Sequence, residues 1–241
     1  MHLYQIKNLS FSYHHGRGQS LNPIVAQQVL NDISVDIGKA ELTCIAGPSG
    51  SGKSTLLNIL GFIDPVQTGQ IFYGDQNINN LNSKMIDRIR LFEIGFVFQD
   101  FQLFDVLSVC ENVEYFAARQ GLPAGERRNR VDEALSLVGM QDYYRRLPRE
   151  LSGGQKQRVA VARALAKKPK VIIADEPTAN LDSKNARSMI ELFQKLVSHH
   201  EQTIILASHD PVGQGAADRL MVLQDGNIQQ DVRRRAFSNA V

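Results

Sequence analysis

A stretch rich in glycine, followed at once by lysine and serine, carries the residue types that bind a polyphosphate. Residues 47–55 read Gly-Pro-Ser-Gly-Ser-Gly-Lys-Ser-Thr and fit the pattern G-x-x-x-x-G-K-[ST]. Glycines lack a Cβ and let backbone N–H groups close around a dense anion. The lysine can bring its charge to the β- and γ-phosphates, and the hydroxyl after it can ligate Mg²⁺. The nucleotide-binding residues predicted here are Gly47, Pro48, Ser49, Gly50, Ser51, Gly52, Lys53, Ser54 and Thr55.

A glycine-rich connector is the alternative interpretation of this stretch. However, the apolar run 42–46 before it has the composition of a buried strand, and 56–60 after it can continue as a packed helix. A helix N-terminus adds free N–H donors and the positive end of its dipole, which together favour an anion. This strand–loop–helix context favours the phosphate-binding interpretation.

Two acidic residues follow a second apolar strand. Residues 171–174 are Val-Ile-Ile-Ala, and Asp175 and Glu176 come next. Ligands of open α/β sheets lie outside the carboxyl ends of the strands. Asp175 can therefore hold Mg²⁺ together with Ser54, while Glu176 points differently and can polarise a water. The alternative, a charged strand end without a role, is disfavoured once the phosphate loop is accepted.

Three further features gain meaning beside a phosphate site. Residues 151–155, Leu-Ser-Gly-Gly-Gln, begin a helix and can supply another phosphate contact, although Ser-Gly-Gly alone is only a flexible N-cap. Tyr13 ends the first predicted strand and could stack on a base, although a lone tyrosine is more commonly a core or surface residue. His209 follows the strand at 203–207, at the edge where the phosphates should lie, although a lone histidine is usually structural.

Apolar periodicity predicts the elements that position these residues. Strands are predicted at 3–11, 29–37, 42–46, 70–74, 94–99, 171–174 and 203–207, with a hairpin over 219–231 that turns at 225–226. Helices are predicted at 56–60, 83–92, 111–119, 126–138 and 156–166, and from 182 onward, with 108–150 wholly helical. Residues 14–28, including His14 and His15, should form a solvated loop, and the tail at 233–235 should be disordered.

Composition narrows the class of protein. The 241 residues are 43% hydrophobic and 22% charged, as in an ordinary globular chain, and the net charge of +2 gives no reason to expect nucleic-acid binding. No apolar run approaches the roughly 18–20 residues that span a bilayer, and the first residues lack the features of a secretion signal. Cys44 and Cys110 suggest no disulfide framework. We expect a cytoplasmic protein, peripheral on the inner face of the cell membrane if it serves one.

Together these motifs resemble the nucleotide-binding subunit of an ATP-binding-cassette (ABC) protein across nearly the whole chain. The signature at 151–155, between the phosphate loop and the acids, is far more specific than the loop alone. The resemblance implies that Tyr13 stacks on adenine and that Gln99 is the switch glutamine. It also implies that His209 is the switch histidine that contacts the γ-phosphate, and that 179–182 is the dimer-contact loop.

The resemblance further implies a fold, a chemistry and an assembly. The fold is α/β, a P-loop NTPase (ABC ATPase) core sheet with an antiparallel β subdomain and an inserted α-helical subdomain. It would be one domain over 1–241, with the core at about 1–98 and 160–241 and the helical subdomain at about 99–159. ATP and Mg²⁺ are the expected cofactors, and a homodimer with a separate transmembrane permease subunit is the expected assembly. The implied catalytic residues are Glu176, His209, Gln99 and Lys53. The implied metal ligands are Ser54, Gln99 and Asp175. The implied contacts with the nucleotide bound by the other copy are made by Ser152, Gly153, Gly154 and Gln155.

A finer resemblance, carried by 57–64, 94–99 and 178–182, is to the macrolide-exporter and lipoprotein-release group (MacB/LolD-type). It implies an ATPase that works a membrane subunit for export, or for lipoprotein, peptide or drug extrusion, without conducting substrate through the bilayer. The departures from the family's common residues are Ala40, Ala179 and Ser208, and none removes a catalytic group.

The sequence also bears on two alternatives to a transporter subunit, a soluble ABC ATPase and a nucleotide-binding regulator. Soluble ABC ATPases of DNA repair, chromosome maintenance or translation typically carry a coiled-coil insertion, zinc cysteines or two cassettes, and this sequence has no heptad run and a single set of motifs. A regulator that binds nucleotide without turnover is disfavoured by the intact Glu176 and His209.

An unusually apolar connection lies where Gln99 leaves the predicted sheet. Connections usually run over the surface, and an exposed apolar patch commonly marks an interaction site. We expect part of this stretch, with the helix at 111–119, to form a groove for a short cytoplasmic helix of the membrane subunit, although each side chain could instead fold inward. The residues concerned are Phe98, Phe101, Leu103, Phe104 and Leu107.

Overall fold

The computed structural model describes residues 2–15 and 25–234, without the side chains at 14, 15, 25 and 26. Its larger sheet has six strands in the order β10-β9-β3-β8-β7-β6. All neighbours in this sheet are parallel except β10, which pairs antiparallel with β9. The strands are β3 (Leu42–Ala46), β6 (Ile94–Val97), β7 (Val171–Asp175), β8 (Thr203–Ala207), β9 (Arg219–Gln224) and β10 (Asn227–Arg233).

A second, antiparallel sheet has the order β2-β1-β4-β5. Apolar side chains of this sheet, of helix α1 and of the larger sheet form one continuous core. Helix α1 therefore lies between the two sheets, which fixes the position of the loop that precedes it. The elements are β1 (His2–His15), β2 (Val25–Gly38), α1 (Lys53–Leu60), β4 (Thr68–Tyr73) and β5 (Gln76–Asn77).

The helices that follow β6 in the chain build a second core on the other face of the larger sheet. In α4 the side chains of Val131, Ala134, Leu135 and Val138 are buried at helical spacing. Within the described ranges, no helix combines the length and apolar character needed to cross a membrane. The helices of this second core are α3 (Val109–Arg119), α4 (Ala124–Val138), α5 (Gly153–Leu165), α6 (Ser183–His200) and α7 (Pro211–Ala216). Helix α2 (Ser83–Phe92) instead packs Ile89 into the first core.

Most predicted elements are confirmed, and several bounds are corrected. Helix α2 and the turn at 225–226 lie where the sequence placed them. The loop predicted at 14–28 is wrong at both ends, because the backbones of His14 and His15 belong to β1 and β2 begins at Val25. Residues 16–24 and 235–241 lie outside the described part, and Arg233, predicted to be disordered, ends β10. Helix α5 begins at Gly153 rather than at residue 156, so the glycines of the signature form its first turn.

Candidate active site

The sheet order brings the predicted catalytic segments to one edge. Strands β3, β8, β7 and β6 are consecutive neighbours and run parallel, so their carboxyl ends lie side by side. The phosphate loop follows β3, His209 follows β8, Asp175 ends β7, and Gln99 follows β6. Residues from four distant parts of the sequence thus meet where open α/β sheets bind ligands.

The loop before α1 depends on glycine at two positions. Gly47 has φ 153°, and a Cβ there would lie 2.0 Å from the carbonyl oxygen of Leu223. Gly52 has φ 104°, and its Cβ would lie 2.9 Å from the carbonyl oxygen of Val29. Any other side chain at these positions would push the loop off the strands beside it. The backbone therefore needs glycine in order to curl tightly at the start of α1.

Lys53 and the N-terminus of α1 give this loop a positive potential. The Nζ atom of the buried Lys53 donates to the carbonyl oxygens of Gly47 and Pro48, each at 2.9 Å. The first turn of α1 carries no acidic residue, so its free N–H groups and dipole keep their positive potential. Tyr13 lies beside the loop, with its hydroxyl oxygen 3.3 Å from Oγ1 of Thr55. Its ring packs edge-on against Phe11 and remains 37% exposed. The arrangement suits a polyphosphate with an aromatic surface close by.

Asp175 and Ser54 present oxygen atoms suited to a hard cation. The Oδ1 atom of Asp175 is buried without a hydrogen-bond partner in the described structure. Burial raises the pKa of Asp175, and a hydrogen bond with the Ser54 side chain opposes that rise. Ser54 itself is exposed. A carboxylate with an unused oxygen beside an accessible hydroxyl fits Mg²⁺, which takes oxygen ligands and keeps several waters.

Glu176 is held in a different way from its neighbour. Its backbone is left-handed, with φ 46°, and its N–H donates to the carbonyl oxygen of Ala207 at 3.1 Å. Its carboxylate Oε2 lies 2.9 Å from Nδ1 of His209. The glutamate is largely buried, whereas the His209 side chain is 68% exposed. The pair joins a carboxylate that can accept a proton to an imidazole that orients it.

The predicted signature (151–155), the predicted dimer-contact loop (179–182) and Gln99 lie close to one another. Asn180 Nδ2 donates to the carbonyl oxygen of Gln99 at 3.0 Å. A Cβ on Gly153 would lie 3.5 Å from the Asn180 carbonyl oxygen and 3.9 Å from the ring of Phe101. The side chain of Gln99 is exposed, and no hydrogen bond joins it to Ser54 or Asp175 in the residues described. Gln99 thus contacts Asn180 through its backbone carbonyl, and its role as a metal ligand stays a prediction.

The first turn of α5 is capped by Ser152 and packs closely against α6 at Gly154. The exposed Ser152 caps the helix in a reciprocal pair with Gln155, whose side chain accepts from the Ser152 N–H at 2.9 Å. A Cβ on Gly154 would lie 3.0 Å from the side chain of Asn185. Ser152 is the exposed residue of this turn, whereas Gly154 is buried against α6.

One residue of the site region escaped prediction from the sequence. Arg163, on α5, donates from its guanidinium to the carbonyl oxygens of Phe101, at 3.0 Å, and Gln102. Both acceptors have left-handed backbones, with φ 59° and 47°. Its position among apolar residues of a buried helix was the only available signal, because its partners are 61 and 62 positions away.

A family model described as ABC transporter matches residues 30–179 of the chain. The chain belongs to this family. It is the ATP-binding subunit of an ABC transporter and an ABC ATPase, and the fold predicted from the resemblance is confirmed. Its mixed sheet, antiparallel β subdomain and helical subdomain match the solved structures of that family.

Two named relatives cover most of this chain. The lipoprotein-releasing system ATP-binding protein LolD of Bacteroides fragilis is 42% identical over 201 residues, 83% of this chain and 93% of the relative. The macrolide export ATP-binding/permease protein MacB of Vibrio parahaemolyticus is 41% identical over 205 residues, which are 84% of this chain but only 31% of MacB. The resemblance to the MacB/LolD-type group is thereby confirmed.

A solved structure extends the comparison to the assembly. The ATP-binding cassette MJ0796, in a dimeric post-hydrolysis state bound to ADP and Pi, superimposes with a TM-score of 0.86 at 35% identity. The match covers 97% of this chain and 100% of that one. The curated MJ0796 protein is from Methanocaldococcus jannaschii.

Proposed function

We propose that this chain works as a homodimer that hydrolyses ATP on the cytoplasmic face of a membrane and thereby drives a separate transmembrane subunit. The observation that carries the proposal is the meeting of Lys53, Asp175, Glu176 and His209 at the ends of three adjacent strands. MJ0796, a dimer bound to ADP and Pi, supports both the reaction and the assembly.

Each residue of the site has a task in such a reaction. The loop at 47–55 and Lys53 bind and orient the β- and γ-phosphates of the substrate. Mg²⁺, when bound by Ser54 and Asp175, would neutralise charge on the phosphate oxygens. Glu176 accepts the proton of the attacking water, and His209 keeps its carboxylate aimed at the site. Gln99 and the signature residues Ser152–Gln155 would complete the site, the latter from the other copy.

The cargo is proposed from the relatives alone. LolD belongs to a lipoprotein-releasing system and MacB is a macrolide export protein. We therefore place lipoproteins, peptides or drugs among the substrates that the membrane subunit handles. A soluble ABC ATPase of DNA repair, chromosome maintenance or translation is less well supported, because the named relatives are a protein of a lipoprotein-releasing system and a macrolide export permease protein.

The predicted contact with the membrane subunit corresponds to a groove of about 630 Å³. Phe98 and Phe104 from the apolar connection line it, with Phe116 of α3. The ring of Phe101 instead packs toward Gly153, and Leu103 is partly buried against the helical core. Part of the stretch thus faces a groove and part folds inward. We propose that a cytoplasmic helix of the membrane subunit binds in this groove.

The experiment that tests the proposed reaction removes the carboxylate that accepts the proton. Glu176→Gln should retain ATP binding and form an ATP-bound dimer, while kcat falls about 10²–10⁴-fold, the usual contribution of a general base. The exposed Glu191 of α6 offers a matched control, and Glu191→Gln should keep the wild-type rate. ATP turnover by Glu176→Gln at the wild-type rate would contradict the assignment.

A further inference from the structure

The groove between α2, α3 and the loop after β6 combines aromatic and cationic side chains. Phe96 and Phe98 stack with ring centroids 5.5 Å apart and planes 6° apart. Phe104 packs on Tyr115 of α3 at 4.6 Å and is itself 37% exposed. Aromatic surface that remains accessible in a groove can be covered by apolar side chains of a partner.

The wall carrying Phe104 is fixed in place before any partner arrives. The side chain of Asn112, fully buried on α3, accepts from the Phe104 N–H at 2.8 Å. Its Nδ2 donates to the carbonyl oxygens of Phe104 at 3.1 Å, Leu107 at 2.9 Å and Ser108 at 3.0 Å. A preformed wall lowers the entropy cost of binding.

Charges in the groove are strongly unbalanced. Four cationic side chains line it, and Asp87 is the one carboxylate among the described residues that do so. Asp87 already forms an ion pair with Arg90. This pairing leaves Arg119, Arg163 and Lys167 without an acidic partner in the described part of the chain.

Two of these cations are buried and bind only neutral groups. Arg163 donates to the carbonyl oxygens of Phe101 and Gln102, and Lys167 donates to those of Arg90, at 2.8 Å, and Ile94. Both charges lie near the ring of Phe116, at 6.0 and 5.1 Å from its centroid. Burial lowers the pKa of Arg163 to about 10 and that of Lys167 to about 8. Their positive charge is therefore poorly solvated and favours a nearby anion.

Arg119 is the accessible member of the set. It lies in the last turn of α3, three residues after Phe116, so both belong to the helix face that lines the groove. The side chain is exposed, and no hydrogen bond or ion pair holds it within the described structure. An incoming carboxylate would thus meet a free guanidinium at the groove's edge, where a bidentate pair can form.

We propose that the segment bound in this groove carries a carboxylate that pairs with Arg119 beside apolar side chains that cover Phe98 and Phe104. The inference rests on the proposed function, which supplies the occupant: a short acidic, amphipathic helix of the membrane subunit. A helix with a basic face is excluded from the groove by the charges of Arg119, Arg163 and Lys167. The aromatic lining favours a peptide over an anionic lipid headgroup, which would leave the rings uncovered.

The test is zero-length cross-linking on native membranes. Membranes of the source cells, stripped of peripheral proteins, are re-bound with the purified full chain carrying Arg119→Lys, and carbodiimide then joins amines to adjacent carboxylates. Position 119 should become linked to an aspartate or glutamate of an integral membrane protein, identified by mass spectrometry. The matched control is Arg128→Lys, which places the same amine at an exposed site on α4 outside the groove and should give no such product.

Re-binding affinity gives a second readout. Arg119→Glu should weaken re-binding about threefold to tenfold, since an exposed ion pair is replaced by repulsion. Arg119→Lys and Arg128→Glu should both re-bind as the wild type does. The loss caused by Arg119→Glu should shrink at high salt, which screens exposed charges. Circular dichroism melts check that each variant is folded.

The outcomes separate this inference from the proposed docking. If Phe104→Asp abolishes re-binding while Arg119→Glu does not and no cross-link forms at 119, the groove stands and the acidic partner is wrong. If Phe104→Asp and Arg119→Glu both re-bind fully, the docking site itself is wrong. If protein-free vesicles of phosphatidylcholine and phosphatidylserine reproduce the dependence on Arg119, the occupant is lipid and the acidic helix is overturned.

Discussion

Asp175 and Glu176 are adjacent carboxylates with different surroundings. Asp175 ends β7 with one buried oxygen that has no hydrogen-bond partner, and burial raises its pKa. Glu176 turns away through a left-handed backbone and pairs with His209. The surroundings of Asp175 suit a cation ligand and those of Glu176 suit a proton acceptor, and both roles stay predictions.

Burying the charged Asp175 carboxylate destabilises the folded protein, so removing this charge should raise the free energy of unfolding. Because its pKa is raised in the folded state, the folded protein binds this proton more tightly than the unfolded chain does. The free energy of unfolding therefore falls as pH rises from about the ordinary value of 3.8 through the raised pKa. Asp175→Asn should stabilise the nucleotide-free protein at pH 7 by about 0.5–2 kcal/mol, a usual size for a stabilising replacement.

Urea denaturation at pH 7 and at pH 4–5 measures this effect, and the advantage of Asp175→Asn should shrink at the lower pH. The same variant should lose most of the stabilisation that the wild type gains from Mg-ATP. Asp142→Asn, at an exposed position, serves as the control and should change neither quantity. An Asp175→Asn protein less stable than the wild type at pH 7 would show that the carboxylate is satisfied in the folded state.

Residues with a motif could be predicted from the sequence, and residues that act through long-range contacts could not. Lys53 and the glycines have a fixed spacing dictated by phosphate geometry, so the loop at 47–55 was located directly. Asn112 and Arg163 have no such spacing. Their function depends on carbonyl groups of the connection at 101–108, whose path follows from tertiary packing rather than from local preference.

Helix α5 connects two functional regions as one rigid element. It begins at the predicted signature, capped by Ser152, and near its other end Arg163 donates to the carbonyl oxygens of the left-handed pair Phe101–Gln102, which follows Gln99. A movement of the signature would therefore be transmitted to the connection that lines the groove. This link requires no flexible linker, because the helix itself spans the distance.

Removing the Arg163 guanidinium should uncouple these regions. Arg163→Met keeps an apolar stem but leaves two carbonyl groups without their charged donor, which should cost about 1.5–3 kcal/mol in the free energy of unfolding. We expect kcat for ATP to fall about tenfold with little change in KM, since the connection after Gln99 would lose its fixed position while the phosphate loop is untouched.

A matched variant on the same helix separates stability from coupling. Arg158 donates to the Val138 carbonyl oxygen at 2.8 Å and to Ser188 Oγ at 2.7 Å, away from the connection. Arg158→Met should lower stability to a similar extent and leave kcat near the wild-type value. Equal losses of kcat in both variants would show that Arg163 affects turnover only by stabilising the fold.

Elements with strong periodicity were predicted closely, and elements governed by pairing were not. The bounds of α2 were correct because its N-cap Asn82 and its apolar spacing mark both ends. Strand β2 was begun four residues late, since glycines and a proline nearby extended the predicted loop to residue 28. Its first residues are held by pairing with β1, including Tyr13 with Gln27, a long-range contact that local composition does not reveal.

At the scale of the molecule, the larger sheet and the helical layer carry different parts of the predicted nucleotide site. The sheet edge holds the phosphate loop and the acids, whereas the helical layer presents the signature at the start of α5. The parallel order of the large sheet was predicted only as a class, because strand order depends on crossovers that no motif encodes. The exposure of Ser152 in the predicted signature is understandable if its ligand belongs to another copy, and MJ0796 is dimeric.

Mixing two inactive variants tests whether the site is shared between copies. Glu176→Gln is placed in all chains so that bound ATP is trapped. One chain also carries Lys53→Ala, which weakens the phosphate loop. The other carries Gly154→Asp, which adds a charged side chain where even a Cβ would lie 3.0 Å from Asn185. Each parent homodimer should trap little ATP, because both of its sites contain one damaged part.

In the mixed dimer the intact loop of one chain faces the intact signature of the other, which restores one composite site. Random pairing makes about half of the dimers mixed, so the mixture should retain about a quarter of the ATP trapped by Glu176→Gln alone, measured with radiolabelled nucleotide after rapid desalting. If each chain instead closed its own site, both chains would stay defective in every pairing. Mixing would then trap no more ATP than the parents do, and the two copies would have to bind nucleotide independently.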